Sequence, residues 1–273
     1  MRRPPPERLV LLGHPVAHSR SPQMHNAALA AAGIRARYEA LDVAPEDFDS
    51  IVAALAREGA AGNVTIPHKE RMYAACATMS PIARRVGAVN TWWVAEDGTL
   101  SGDNTDVGGV NEAVRRLFDA KAIPPNLKVG LLGAGGAAAA VVAALESWPS
   151  ATVRVHNRTA SRAHALCERF GSFAQPADDA RALADVDLLV NATSTGMRDD
   201  ATPFDVSTLR SDARVFDLVY RREATPFVRA ARARGLAAVD GLGMLVEQAA
   251  LAFERWFGVA PDRATMRRAA ESD

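Results

Sequence analysis

The chain has 273 residues, and its 32 Lys and Arg balance its 32 Asp and Glu to a formal net charge of zero. That balance leaves no basic footprint for nucleic acid and none for an anionic membrane. The 48% of hydrophobic residues can fill the cores of two ordinary domains. The apolar run at residues 9–12 is too short for a secretory segment or a bilayer span. Two cysteines, Cys76 and Cys167, lie in helical-looking segments without metal-ligand spacing. They read as buried apolar residues in a reducing cytoplasm, and no metal is expected.

In chain order, residues 8–13 read as a strand ending in Gly13. A helix follows over 22–32, with Ser21 as N-cap, Pro22 at its first position and Gly33 past its end. Then come a strand (38–43), a helix (45–57), a short strand (62–66), helices after Pro67 and after Ser80, and a strand at 90–94. Glu96-Asp97-Gly98 marks a turn, a short strand runs to Gly102, and a helix covers about 105–118. This alternation predicts a largely parallel sheet with crossover helices. Residues 122–126, AIPPN, are the clearest linker signal. Beyond them, strands at 127–132, 152–156, 187–191, 214–218 and 236–239 alternate with helices as in a doubly wound sheet. Residues 241–258 carry apolar residues at helical spacing, with Gln248 at the edge of the stripe.

The stretch LKVGLLGAGGAAAA at 127–140 holds Gly133, Gly135 and Ala138 in the G-x-G-x-x-A form of the dinucleotide fingerprint. Gly133 allows the tight turn, Gly135 lets a pyrophosphate approach the backbone, and the helix N-terminus faces the phosphate charge. After the next strand, NAD-binding folds place a carboxylate on the ribose. This chain has Asn157-Arg158-Thr159 and then Arg162. No acidic group there repels a 2′-phosphate, and two guanidiniums can pair with it. The site reads as one for NADP(H).

The first half has no phosphate loop. It carries four polar strings near predicted strand termini: GHPVAHSRSP, GNVTIPHKE, GAVNT and GDNTD. In an open α/β sheet those termini line the ligand crevice. Ser19, Ser21, Asn63, Thr65, Lys69, Asn90 and Asp106 offer many donors, one cation and one carboxylate. Taken singly, each residue also suits a cap or a turn. Together they suit a small polyhydroxylated acid.

These strings, together with GAGGA, NRT, NATSTGM at 191–197, TPF at 225–227 and DGLGMLVEQAA at 240–250, resemble the NADP-dependent shikimate dehydrogenase family over nearly the whole chain. The resemblance implies two α/β domains with a cleft between them. A discontinuous substrate domain would cover 1–104 and 241–273, and a Rossmann-like NADP-binding domain 105–240. The implied activity is reversible reduction of 3-dehydroshikimate to shikimate in aromatic amino-acid biosynthesis. Lys69 and Asp106 would be the catalytic pair. Ser19 and Ser21 would hold the substrate carboxylate. Asn63, Thr65, Asn90, Asp106 and Gln248 would hold the ring hydroxyls, and Tyr220 would reach the substrate from the nucleotide domain. Ala134, Gly135, Gly136 and Ala137, beside Gly133, would contact the pyrophosphate. Asn157, Arg158, Thr159 and Arg162 would bind the adenosine ribose and its phosphate. Thr193, Ser194, Leu218, Gly241 and Met244 would lie near the nicotinamide. The implied partners are small molecules alone, with the protein a monomer or homodimer. Two rivals remain: a quinate/shikimate dehydrogenase of the same superfamily, and a non-catalytic NADP-binding regulator, which should lack Lys69 or Asp106.

Overall fold

Leu9, Val10, Leu11 and Leu12 are at most 4% exposed, so the strand they form is covered on both faces and sits centrally. The computed structural model describes residues 5–118, 123–148 and 150–272. Residues 1–4 and Ala122, the first residue of the expected linker, lie outside them. The chain divides into two units: one runs to Gly108 and resumes at Val246, the other is Gly109–Leu245.

The first unit is built from β1 (Arg8–Gly13), α1 (Ser21–Ala31), β2 (Arg37–Asp42), α2 (Phe48–Arg57), β3 (Ala61–Val64), α3 (Lys69–Ala75), β4 (Thr78–Met79), α4 (Pro81–Val86), β5 (Thr91–Val94) and β6 (Leu100–Asp103). Helix α5 (Asp106–Leu117) then carries the chain across the boundary. The sheet order is β2-β1-β3-β5-β6-β4. Here the largely parallel expectation is corrected. β1 pairs parallel with β2 and β3, but β5 runs antiparallel to both β3 and β6. The turn at residues 95–98 is too short for a crossover, so β5 and β6 form a hairpin. The reversal keeps the polar strings together, because Asn63 is opposite Thr91, which is opposite Asp103.

A second correction concerns Ser21. It is the first residue of α1, not its cap; Arg20 holds the cap position and makes no side-chain capping bond. Ser21 accordingly keeps its hydroxyl uncommitted to the helix terminus. Pro22 and Gly33, the latter at φ +65°, bracket the helix as expected. On α2, Phe48, Val52 and Leu55 are buried one and two turns apart and pack into the core with Trp92, Met72 and Val64.

The second unit holds β7 (Lys128–Leu132), α6 (Gly136–Leu145), β8 (Thr152–His156), α7 (Ala160–Phe170), β9 (Ala174–Pro176), β10 (Leu188–Asn191), β11 (Arg214–Asp217), α8 (Pro226–Ala233) and β12 (Ala237–Val239). The order β12-β11-β10-β7-β8-β9 is all parallel, with the chain reversing its winding between β7 and β10. That is the Rossmann arrangement, and the switch point opens beyond the C-terminal ends of β7 and β10. The three-residue β9 is an addition to the strands expected from the sequence.

Helix α9 (Leu242–Phe257) crosses the second boundary, and α10 (Arg263–Glu271) follows it back onto α1. Its N-cap Asp262 accepts from Ala264 N–H at 2.9 Å, and its buried face is Met266 and Ala270. The sequence places this segment in the substrate domain without marking the bounds of a helix there. Cys76 ends α3 and Cys167 lies inside α7; both are buried free thiols, pushed by burial up to about 12 and about 11. Among the described residues no helix is long and apolar enough to cross a membrane, and no cluster of potential ligands could hold a metal ion.

Candidate active site

In the first unit, Lys69 opens α3 and Asp106 opens α5. Their side chains meet, with Lys69 Nζ donating to Asp106 Oδ2 at 2.6 Å. The side chains are 14% and 6% exposed, which leaves the ammonium at the rim and the carboxylate beneath it. The other carboxylate oxygen, Oδ1, accepts from Asn90 Nδ2 at 2.9 Å. Asp106 is therefore held at both oxygens and can aim the ammonium without swinging. Asp106 is the one hydrogen-bond partner of Nζ among the described residues, so two of the three ammonium hydrogens remain for a ligand.

Asn90 is the hub. Its amide nitrogen also lies 3.0 Å from Thr105 Oγ1 and 3.3 Å from Gln248 Oε1. Its oxygen accepts from Thr105 N–H at 2.8 Å. Asn63, level with Thr91 across the β3–β5 register, donates to Thr91 Oγ1 at 3.0 Å and to the Asn90 carbonyl at 3.1 Å. Ser19 and Ser21 sit at the entry to α1, where Ser21 N–H donates to Ser19 Oγ at 3.2 Å. Thr65 follows β3, anchored by its N–H on the Leu12 carbonyl at 2.8 Å. Lys69, Asp106, Asn90, Asn63 and Gln248 thus form one connected polar set in the first unit.

Two residues of this set escape a reading of the sequence. Thr105 stands inside GDNTD with no role of its own there, yet it bonds Asn90 through both backbone and side chain. Asp103, in the same string, is buried and accepts from Asn104 N–H at 2.8 Å, from the Ser80 hydroxyl and from Arg255 on α9. It secures the strand end from which Thr105 and Asp106 project. The signal is the second carboxylate three residues before Asp106.

The second unit carries the fingerprint turn after β7. Gly133 has φ +109°, and a Cβ there would lie 2.9 Å from the Ala192 carbonyl oxygen. Only glycine fits this turn without strain. Gly133→Ala is expected to cost about 1–3 kcal/mol of stability, read as a lowered midpoint in urea unfolding. Gly135 is different, since a Cβ would meet nothing within 4 Å. No packing inside this unit demands glycine at 135; the open space lies in front of the N-terminus of α6. That terminus has no side-chain cap, so its first-turn N–H groups at Gly136 and Ala137 are available to an anion. Ala138 is fully buried, which lets α6 lie close on the sheet.

Asn157 follows β8 and folds its amide onto the Thr159 carbonyl at 2.9 Å. Arg158, Thr159 and Arg162 are exposed at the start of α7. Neither arginine has an ion-pair partner among the described residues. Two uncommitted guanidiniums and no carboxylate fit a phosphorylated ribose. Thr193 lies against the Gly133 turn and donates its hydroxyl to Asn191 Oδ1 at 2.7 Å, with Ser194 next in the loop. Leu218 N–H donates to the Asn191 carbonyl at 2.9 Å, and a Cβ on Gly241 would meet the Leu218 carbonyl oxygen at 2.1 Å. Met244 is buried in the first turn of α9. Tyr220 is half-buried in the loop after β11. Ala134 lies between Gly133 and Gly135, partly buried. Of the residues expected near the nicotinamide, Thr193 and Ser194 thus follow β10 beside the Gly133 turn, while Leu218 follows β11 with Gly241 packed on it. Asn191 and Asp217, which carry no role in the sequence pattern, brace this end: Asp217 accepts from Asn191 at 2.8 Å and Thr225 at 2.6 Å, and burial raises its carboxyl pKa.

Three family descriptions match the chain: a shikimate dehydrogenase substrate-binding domain over residues 11–92, a shikimate/quinate 5-dehydrogenase over 119–243, and a shikimate 5′-dehydrogenase C-terminal domain over 241–271. A shikimate dehydrogenase (NADP(+)) of Mesorhizobium japonicum is 47% identical over 91% of this chain and 90% of its own. The chain belongs to the shikimate dehydrogenase family. Among solved structures, the Thermus thermophilus shikimate 5-dehydrogenase in complex with NADP(H) and shikimate matches with a TM-score of 0.84 and 42% identity, over 96% of this chain and 98% of that one. A quinate dehydrogenase from Corynebacterium glutamicum in complex with NAD matches with a TM-score of 0.87 and 31% identity, over 97% and 98%.

Proposed function

We propose that this protein is an NADP-dependent shikimate dehydrogenase, interconverting 3-dehydroshikimate and shikimate on the route to aromatic amino acids. The observation that carries this reading is the sheltered Lys69–Asp106 pair, which Asn90 joins to Asn63 and Gln248. The bound nicotinamide supplies the hydride. As hydride reaches the ketone carbon, the carbonyl oxygen gathers negative charge and needs a proton. Lys69 gives that proton from its ammonium and is reprotonated from solvent. In the reverse direction neutral Lys69 takes the hydroxyl proton. Asp106 fixes the direction of Nζ. Ser19 and Ser21 hold the substrate carboxylate through hydroxyls, which avoids a second cation beside Lys69. Thr65 and Tyr220 complete the hydroxyl contacts. Gly133, Ala134, Gly135, Gly136 and Ala137 receive the pyrophosphate, and Asn157, Arg158, Thr159 and Arg162 the phosphorylated ribose. The two buried free thiols suit a reducing compartment such as the cytoplasm, and a monomer or homodimer is the expected assembly.

The test is a spectrophotometric assay of nicotinamide reduction with shikimate and quinate, each offered NADP and NAD. Turnover is expected with shikimate and NADP above the other three combinations. Preference for quinate with NAD would place the protein with the quinate enzymes instead, and no turnover in any combination would make it a binding protein.

A further inference from the structure

Tyr38 lies on β2, 1% exposed, and reads as an ordinary core aromatic. Its surroundings say more. Its phenol oxygen is 2.8 Å from Asn63 Oδ1. Its backbone is bonded in both directions by the Asn26 side chain, at 2.8 and 3.0 Å. Its ring stacks on His25 at 4.3 Å between centroids and 12° between planes. His25 is fully buried, and burial lowers its pKa to about 3, so the stacking partner is neutral.

The orientation of the Asn63 amide follows from its neighbours. The Asn90 carbonyl can only accept, so the amide nitrogen must face it, at 3.1 Å. The second amide hydrogen goes to Thr91 Oγ1. Asn63 Oδ1 therefore faces Tyr38, whose hydroxyl must donate. Burial raises the phenol pKa well above 10, against a smaller lowering from the Ser21 hydroxyl, so the proton stays on the tyrosine. With both amide hydrogens spent, Asn63 has only acceptor capacity on Oδ1 to offer a ligand.

We propose that Tyr38 is a positioning residue for substrate: its hydroxyl holds Asn63 Oδ1 in the orientation that the Asn90 carbonyl and Thr91 dictate, so that the ligand hydroxyl meeting Asn63 must donate its proton to Oδ1. This rests on the shikimate dehydrogenase reading above and deepens it, since it sets the polarity of one hydroxyl subsite. A ring substituent that can donate, a hydroxyl or an amine, is accepted there, and one that cannot donate is refused. Tyr38 does this without touching the ligand, through a side chain that the neutral His25 ring and the Asn26 clamp keep in one place.

The experiment compares Tyr38→Phe with the unaltered protein. The KM for shikimate should rise about fivefold, the size of one lost hydrogen bond, with kcat within about twofold and the KM for NADP unchanged. An unchanged shikimate KM overturns the proposal, and so does a loss confined to kcat. Should Tyr38→Phe fail to fold, the unaltered protein decides with analogues in which each ring hydroxyl is replaced in turn by fluorine or by an amine. One position is expected where the fluoro analogue no longer raises the melting temperature and the amino analogue still does. Fluoro analogues that all stabilise like shikimate itself overturn the proposal. Failure of the functional reading looks different, because the unaltered protein then turns over no shikimate at all.

Discussion

Lys69→Ala is expected to lower kcat by about a hundredfold or more while moving the shikimate KM much less, because proton transfer matters in the transition state more than in the bound ground state. The geometry says why no neighbour should compensate. Nζ is the cation at this end of the first unit's polar set, and the carboxylate it bonds has its other oxygen on Asn90. Removing the ammonium leaves the Asp106 carboxylate, 6% exposed while Lys69 is in place, bonded through the Asn90 amide. Breaking a buried pair from one side costs about 3–5 kcal/mol at most, and the rim position of Lys69 reduces that. The variant should therefore melt at a lower temperature yet stay folded. Circular dichroism and a melting curve separate the two effects: a folded variant with a hundredfold loss supports the proton-donor role. Near-normal turnover would remove Lys69 from the chemistry. Asp106→Asn adds a second arm. It keeps the shape but removes the charge that orients Nζ, so its loss should also fall mainly on kcat.

Much of the fold is legible in the sequence because both sheets are centred on continuous apolar strands. Residues 9–12 and 129–132 read as buried strands, and they are. The direction of β5 is not legible from periodicity, since alternation is the same whichever way a strand runs. What betrays it is the length of the 95–98 turn, which cannot carry a crossover. β4 and β9 have two and three residues, too few to show any pattern. Helix α10 escapes notice because its apolar face is only Met266 and Ala270 amid many arginines. At the site, Lys69, Asn90 and Asp106 stand out as polar residues beside apolar strands, and these three are in contact. Ser21 reads wrongly as a cap because caps favour the same residue type as ligand contacts. Tyr38 could not be singled out, because an aromatic inside a strand is the usual content of a core. Its value comes from the identity of the atom its hydroxyl meets, which no linear pattern records.

Arg158→Ala is expected to weaken NADPH binding about tenfold to a hundredfold and to change NADH binding less than about threefold, since a charge-assisted pair to phosphate contributes about 1.5–3 kcal/mol. The same titration of nicotinamide fluorescence reads both. The two cofactors differ only at the 2′-position of the adenosine ribose, so the ratio isolates the group that Arg158 is proposed to grip. Three features make the effect large. Arg158 and Arg162 have no carboxylate partner among the described residues, so neither must abandon an ion pair to bind phosphate. Asn157 is turned back onto the Thr159 carbonyl, so no negative charge faces the phosphate from the position where NAD-binding folds carry one. Thr159 caps α7 without a side-chain bond, which leaves that helix's first amides facing the same region. Exposure of both arginines sets a further condition. Their attraction is open to screening, so raising the salt from about 0.05 to about 0.5 M should weaken NADPH more than NADH in the unaltered protein, and the gap should narrow in Arg158→Ala. Equal weakening of both cofactors by the substitution would mean that the 2′-phosphate is read elsewhere, and Arg162→Ala would then be the variant to separate them.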